Sequence, residues 1–402
     1  MPINIVDLFS GAGGLTFGFS HIIENNTFVK DNYFNFLFAN EYESSAAKAF
    51  SANFPDINLI EKDIAQITLD LLHENNIDTT TPVDLIIGGP PCQSYSTVGK
   101  RQYDQRAKMY REYTRMLQLF HPAMFIFENV KGILSMKNDN GKPVIEDIKT
   151  LFSNIDGDFG YRLEIKTLNA KDFGVPQSRE RVFIVGFRKD VDYKWKFPSP
   201  SHGRKKELSN YVKICEAISD LPCLKCGQKK TAYKSDPKTE YEALMRGQSN
   251  ILNDHECGIY GEKMSATIKA VKPGKGRPYI NELVNQGKLP KEYYLTSGYN
   301  NTYGRLWWNR PSTTITNSLG TPSALRCIHP NQQRALTTRE GARLQSLPDS
   351  MQFFGSKYER NSQVGNAVPP LLAMALANEV RKIPFEKFRH EGRKDEGTEY
   401  RQ

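Results

Sequence analysis

The sequence predicts an α/β protein: a parallel sheet with helices on both faces, joined to a smaller and irregular region. Three observations carry this. Across residues 1 to 187, strand-length apolar runs alternate with stretches of helical spacing, the pattern of a sheet built by crossover helices. The first run is followed at once by a glycine-rich turn, Ser10-Gly11-Ala12-Gly13-Gly14. From about Lys189 to Arg310 the period is lost among Lys, Gly, Pro and Asn, and it returns near Thr337.

Taken in order, the strand candidates are Ile3 to Phe9, Phe36 to Ala39, Asn58 to Glu61, Val83 to Ile87 and Met124 to Phe127. Tyr161 to Leu168 and Arg181 to Phe187 read as late strands of the same sheet, linked through Gly174, Pro176 and Gln177. Thr338 to Leu344 has the composition of a capped helix, and Pro369 to Val380 that of another. Ile383 to Gln402 is mostly charged and is expected to fray.

Composition excludes several classes. The 402 residues hold 54 Lys+Arg against 45 Asp+Glu, a net charge of +9, with ordinary hydrophobic content at 39%. No apolar run approaches the roughly 18 residues that cross a bilayer, and Met1-Pro2-Ile3-Asn4 shows no basic leader. A soluble protein of the cytoplasm, with no membrane partner, is expected. Six cysteines in a chain this long do not form a disulfide framework. The positive balance is compatible with nucleic acid without establishing it.

Ligands of open parallel sheets bind beyond the carboxyl ends of the strands. There, Gly11, Gly13 and Gly14 offer backbone amides, Glu41 follows the second strand, and Asp63-Ile64 the third. A carboxylate for ribose hydroxyls, another for an exocyclic amine, and apolar packing describe an adenosine-type site. Leu15 and Thr16 follow Gly14, and the next glycine is Gly18, so the spacing is not the dinucleotide Gly-x-Gly-x-x-Gly. A nucleoside without pyrophosphate, such as S-adenosylmethionine, fits better, and a nicotinamide oxidoreductase fits poorly.

The fourth strand ends Gly88-Gly89-Pro90-Pro91-Cys92-Gln93-Ser94. Two prolines stiffen the approach to Cys92, and Lys100 and Arg101 are cations able to favour its thiolate. A buried structural cysteine is the plain alternative, and the polar Gln-Ser-Tyr-Ser that follows argues against it. The fifth strand ends Glu128-Asn129-Val130, and Gln177-Ser178-Arg179-Glu180-Arg181 places arginines Arg179 and Arg181 on one face. A thiol, a carboxylic acid and an arginine suit attack on an electron-poor ring: covalent addition, proton donation, and a cation at ring oxygen.

These stretches resemble the DNA cytosine-5 methyltransferases of bacterial restriction-modification type. The resemblance covers Asp7 to Gly14, Gly89 to Gln93, Glu128 to Val130, Gln177 to Arg181, Arg339 to Asp349 and Gln363 to Pro370, in the family's order. It implies a Rossmann-like S-adenosylmethionine-dependent methyltransferase sheet with an inserted target-recognition domain. The expected division is 1–187 and 337–382 for the catalytic domain, 188–336 for recognition, and 383–402 for a charged tail.

It further implies that Cys92 attacks C6 of a flipped-out cytosine, that Glu128 bonds N3, and that Arg181 meets the ring oxygen, beside Arg179. For S-adenosylmethionine it places Phe9 on the adenine, Glu41 and Tyr42 at the ribose, Asp63 on the amine, and Ile64 and Pro91 as packing. Gly11, Gly13 and Gly14 give backbone approach, and Asn366 completes the methionine end. Gln93 to Arg101 resembles a loop that closes over DNA, so Gln93, Ser96, Lys100 and Arg101 are expected DNA contacts, with Thr316 on a phosphate. Tyr42 and Ser94-Tyr95 depart from the commonest family residues. Duplex DNA is the expected substrate, the enzyme a monomer, and a cognate restriction endonuclease its companion without a stable complex. The lack of a long N-terminal extension points to a compact stand-alone enzyme.

Two other readings stay open. A branch of the family methylates tRNA, but its Cys-Phe-Thr signature is absent, and a catalytically silent DNA-binding module would not need Cys92, Glu128 and Arg181. Cys223-x-x-Cys226 with His255 and Cys257 lacks the usual zinc spacing, and no metal is expected.

Overall fold

The computed structural model describes residues 2–91, 109–138, 140–155 and 160–389. Its first run forms β1 (Ile3–Leu8), buried along its whole length, and the glycine turn leads into α1 (Gly14–Ser20). An antiparallel hairpin of β2 (His21–Glu24) and β3 (Thr27–Lys30) follows. Its strands are short and half exposed, which is why the apolar pattern does not reveal them.

Next come β4 (Phe34–Asn40), α2 (Ser44–Asn53), β5 (Leu59–Ile60), α3 (Leu69–Glu74), β6 (Leu85–Gly88), α4 (Met109–Phe120), β7 (Met124–Val130) and α5 (Val144–Ser153). The sheet is completed by β8 (Tyr161–Asn169) and β9 (Glu180–Arg188), in the order β5-β4-β1-β6-β7-β9-β8. The first five of these pair in parallel, whereas β9 runs antiparallel to both β7 and β8. The sheet is therefore mixed, a correction to the parallel sheet expected. The link from β8 to β9 contains no crossover helix, so the chain turns back and slots β9 between β7 and β8.

Beyond β9 lie α6 (Ile214–Ile218), α7 (Glu240–Arg246), α8 (Glu262–Ala270), α9 (Arg277–Asn285), β10 (Gly304–Arg305) and β11 (Arg326–Ile328). The region is thus more helical than its texture implies. Only part of it has its own core, around Ile268, Val271, Ile280, Leu295 and Ile328. Val191 and Trp195 pack with the sheet. Ile214, Leu244, Leu252, Leu306 and Ile315 share a core with Phe17, Phe50, Leu344 and Val364.

The chain then returns through α10 (Thr338–Leu344), α11 (Lys357–Asn366) and α12 (Pro370–Val380). Thr337 and Glu340 form the capping box that starts α10. α12 lies directly on α1: a Cβ at Gly18 would stand 2.4 Å from the Ala373 Cβ. Every residue of α10 is buried, and its charges are paired. Arg343 bonds both Asp220 and Asp349, and Arg334 bonds Glu340. The Arg339 to Asp349 motif therefore fastens the returning segment to the inserted one. A buried pair of this kind fixes geometry more than it adds stability.

The start of the expected charged tail is docked. Ile383 and Phe385 are buried in the sheet's core, and Arg389 is paired with Asp84. Apolar residues spaced among the charges account for it. Residues 390–402 lie outside the described residues.

Candidate active site

Three strand ends build the cofactor side. Phe9 leaves β1 with φ 56°, and Gly11 turns with φ 58°. The Gly11 N–H donates to Glu41 Oε2 at 2.7 Å, while Glu41 Oε1 accepts from the Tyr42 and Glu43 N–H groups. Glu41 is thereby locked across the turn, and burial raises its pKa. Asp63 caps the short turn Ile64–Gln66 by accepting from the Ala65 N–H through Oδ1. Its Oδ2 makes no bond among the described residues and remains exposed. Phe9 is half-buried, Ile64 buried, Pro91 half-buried, and Tyr42 65% exposed.

The three glycines serve different ends. A Cβ at Gly11 would meet nothing within 4 Å, so that residue borders open space. At Gly13 it would strike the Phe54 ring at 2.1 Å, and at Gly14 the Val368 carbonyl at 2.4 Å. Gly14 lets the returning segment close on the turn, which brings exposed Asn366 to its neighbourhood. An open glycine turn, an exposed aromatic edge and two carboxylates with spare acceptor capacity fit an adenosine with free ribose hydroxyls and an amine. Beneath them Asp7 is fully buried, bonded by the Thr16 hydroxyl through Oδ2, with Oδ1 unpartnered among the described residues.

Glu128 lies one residue beyond the last β6–β7 pair, where β9 continues alone as β7's partner. Arg181, opposite Val130 in that pairing, brings its Nε to 2.9 Å from Glu128 Oε1. Both side chains are about nine-tenths buried. Burial pushes the Glu128 carboxyl above its ordinary range, although the Arg181 and Arg179 charges pull it down. Gly89 fits under this carboxylate, since a Cβ there would lie 2.8 Å from Glu128 Oε2. Asn129 donates through Nδ2 to the Pro90 carbonyl at 3.2 Å, which anchors the chain leading to Cys92.

Cys92 and the expected DNA contacts Gln93, Ser96, Lys100 and Arg101 lie outside the described residues. Arg179 occupies a different place from Arg181. It is 1% exposed and donates to the carbonyls of Ile315, Gly365 and Ala367. Gln177, also buried, accepts from the Ile315 N–H and donates to the Leu344 carbonyl. Together they grip the segment leading to Thr316, a role the sequence does not reveal because the partners are backbone atoms far along the chain.

Thr316 lines a cleft of about 470 Å³ with Arg181, Ser178, Thr314, Asn301 and Arg326. This cleft joins the start of β9 to the inserted region. His255 binds the Pro222 carbonyl and Thr337, so both of its ring nitrogens are engaged. Among the described residues no helix is long and apolar enough to cross a membrane.

The strand order, with an antiparallel strand slotted between the last two parallel positions, defines a Rossmann-like methyltransferase sheet. A solved structure described as a DNA modification methyltransferase encoded within an E. coli prophage superposes with TM-score 0.70 at 24% identity, covering 95% of this chain and 99% of that one. The family model for the C-5 cytosine-specific DNA methylase matches residues 3–382. The chain is 34% identical over 390 residues to the Type II methyltransferase M.DdeI of Desulfomicrobium norvegicum, covering 94% of this chain and 88% of that protein. It is also 34% identical over 389 residues to the Type II methyltransferase M1.HphI of Haemophilus parahaemolyticus, covering 95% and 88%. The chain belongs to the C-5 cytosine-specific DNA methylase family and is a DNA cytosine-5 methyltransferase.

Proposed function

We propose that this enzyme methylates C5 of a cytosine flipped out of a short, specific duplex sequence, as the modification half of a restriction-modification system. The observation that carries the reading is the buried Glu128–Arg181 pair at the strand end where Gly89-Pro90-Pro91 leaves β6. The target base must leave the stack to meet groups set this deep. The Cys92 thiolate adds to C6, and negative charge moves to N3. Glu128, held protonated to higher pH by burial, donates there. Arg181 keeps Glu128 oriented through Nε and presents its remaining nitrogen to the ring oxygen.

The residues that would hold S-adenosylmethionine are Phe9, Gly11, Glu41, Tyr42, Asp63, Ile64, Pro91 and Asn366, with Gly13 and Gly14 shaping the turn. When bound, it supplies the electrophilic methyl group that the activated C5 accepts. Loss of the C5 proton then allows Cys92 to leave, restoring the thiolate and the aromatic ring. On the DNA side Thr316 contacts a phosphate, and Gln93, Ser96, Lys100 and Arg101 are the further DNA contacts. The enzyme acts as a monomer, and a cognate endonuclease works beside it without a stable complex.

The test is transfer of tritium from labelled S-adenosylmethionine to mixed-sequence duplex DNA and to tRNA. Incorporation into DNA at C5 of cytosine is expected. Transfer to tRNA alone would favour the tRNA branch, and cofactor binding without any transfer a silent module.

A further inference from the structure

Arg326 is held in an unusual way. It opens β11, and its Nη1 donates to the carbonyls of both Lys275 and Arg305 at 3.0 Å. Its guanidinium carbon stands 4.8 Å from the centre of the Trp307 ring, a cation–π contact. Trp307 is itself fixed, because the Gly274 backbone, at φ +78°, lies so close that a Cβ there would be 2.3 Å from the indole nitrogen. One face and one nitrogen of the guanidinium are thus spent on the protein.

The other edge is different. Nε and Nη2 bond to nothing among the described residues, and no carboxylate pairs with Arg326 there. The residue is half-buried and lines the same cleft as Arg181, Ser178, Thr314 and Thr316. Burial without a counter-ion lowers its pKa. Neither donor is among the buried unpartnered atoms, so both face the cleft, where a ligand's acceptors can take the place of water.

We propose that Arg326 is a specificity-determining residue that reads a guanine of the target sequence through its Nε and Nη2 donors. This rests on the reading of the cleft as the place where DNA lies. Two parallel N–H donors match O6 and N7 of guanine, the commonest specific arginine contact. A phosphate accepts the same fork. A phosphate, with acceptor oxygens on several sides, takes the fork from many angles, whereas telling one base from another needs it held at a set angle. The backbone carbonyls and Trp307 set that angle, and the neighbouring Arg181 puts Arg326 beside the target base.

The experiment is bisulfite sequencing of a randomised duplex library methylated by the wild type, Arg326→Lys, Arg326→Ala and Trp307→Phe, with thermal melting of each protein. The wild-type motif tests the DNA reading by itself, before any variant is compared. Each Arg326 variant is expected to lose preference for guanine at one motif position by at least about tenfold, with other positions intact. Trp307→Phe, which keeps the fork but loosens it, is expected to relax the same position in part, and it decides the matter if an Arg326 variant melts early. An unchanged motif with uniformly weaker methylation and a shallower salt dependence would make Arg326 a phosphate contact and overturn the proposal. Relaxation at a position that is not guanine would overturn it as well.

Discussion

Arg181 Nε lies 2.9 Å from Glu128 Oε1, inside a strand pairing that only an antiparallel β9 makes possible. The arginine approaches from the strand next to the acid's own, so the two groups sit side by side at the end of β7. Burial outweighs the arginine's pull, and the carboxyl holds its proton to higher pH than an ordinary glutamate. Glu128→Gln keeps the hydrogen bond but cannot give up a proton. Its kcat is expected to fall by about 10²- to 10⁴-fold with DNA affinity nearly unchanged. The alkaline loss of rate that reports Glu128 deprotonation should vanish in the variant, which a pH profile of single-turnover rates will show.

Gly89→Ala tests the floor of the site. The added methyl would stand 2.8 Å from Glu128 Oε2 and push the carboxylate aside. A displacement of this size should lower kcat by roughly 10- to 100-fold. Cofactor affinity, read by calorimetry, should stay within error. A variant with full activity would show that Glu128 tolerates another position.

Asp7 makes stability depend on pH. Burial pushes its carboxyl up from 3.8 to about 7, against the Thr16 hydrogen bond. Between those values the unfolded chain has released this proton while the folded chain retains it. Rising pH therefore favours unfolding across that window, and the penalty is complete once pH passes the folded value. Asp7→Asn still accepts from Thr16 but does not titrate. From about pH 5 to pH 8 the wild type should lose roughly 3 kcal/mol more stability than the variant. Urea titrations at each pH will measure it, and equal slopes would refute the assignment.

Much of the site is legible in the sequence because chemistry gathers at strand ends. Glu41, Asp63 and Glu128 each follow an apolar run, and a parallel sheet must bring such ends to one edge. The direction of β9 is not legible, since an apolar run looks the same either way. Arg179 and Arg181 both read as catalytic candidates, with Arg181 at the ring oxygen, yet their partners separate them: one grips the carbonyls of Ile315, Gly365 and Ala367, and the other faces Glu128. The inserted region reads as separate because its pattern is irregular. Ile214 and Ile315 nonetheless complete a core with Phe50 and Val364, partners that sequence spacing does not reveal.

The proposed reaction depends on a covalent bond from Cys92 to the target cytosine while Glu128 and Arg181 hold the ring. Incubating the enzyme with S-adenosylmethionine and duplex DNA carrying 5-fluorocytosine at the target position traps that bond. Fluorine cannot leave as the C5 proton does, so the adduct should persist through denaturation, and peptide mass spectrometry should place it on Cys92. Cys92→Ser should give no turnover and no adduct. An adduct on another residue, or one that survives in Cys92→Ser, would show that Cys92 is not the nucleophile.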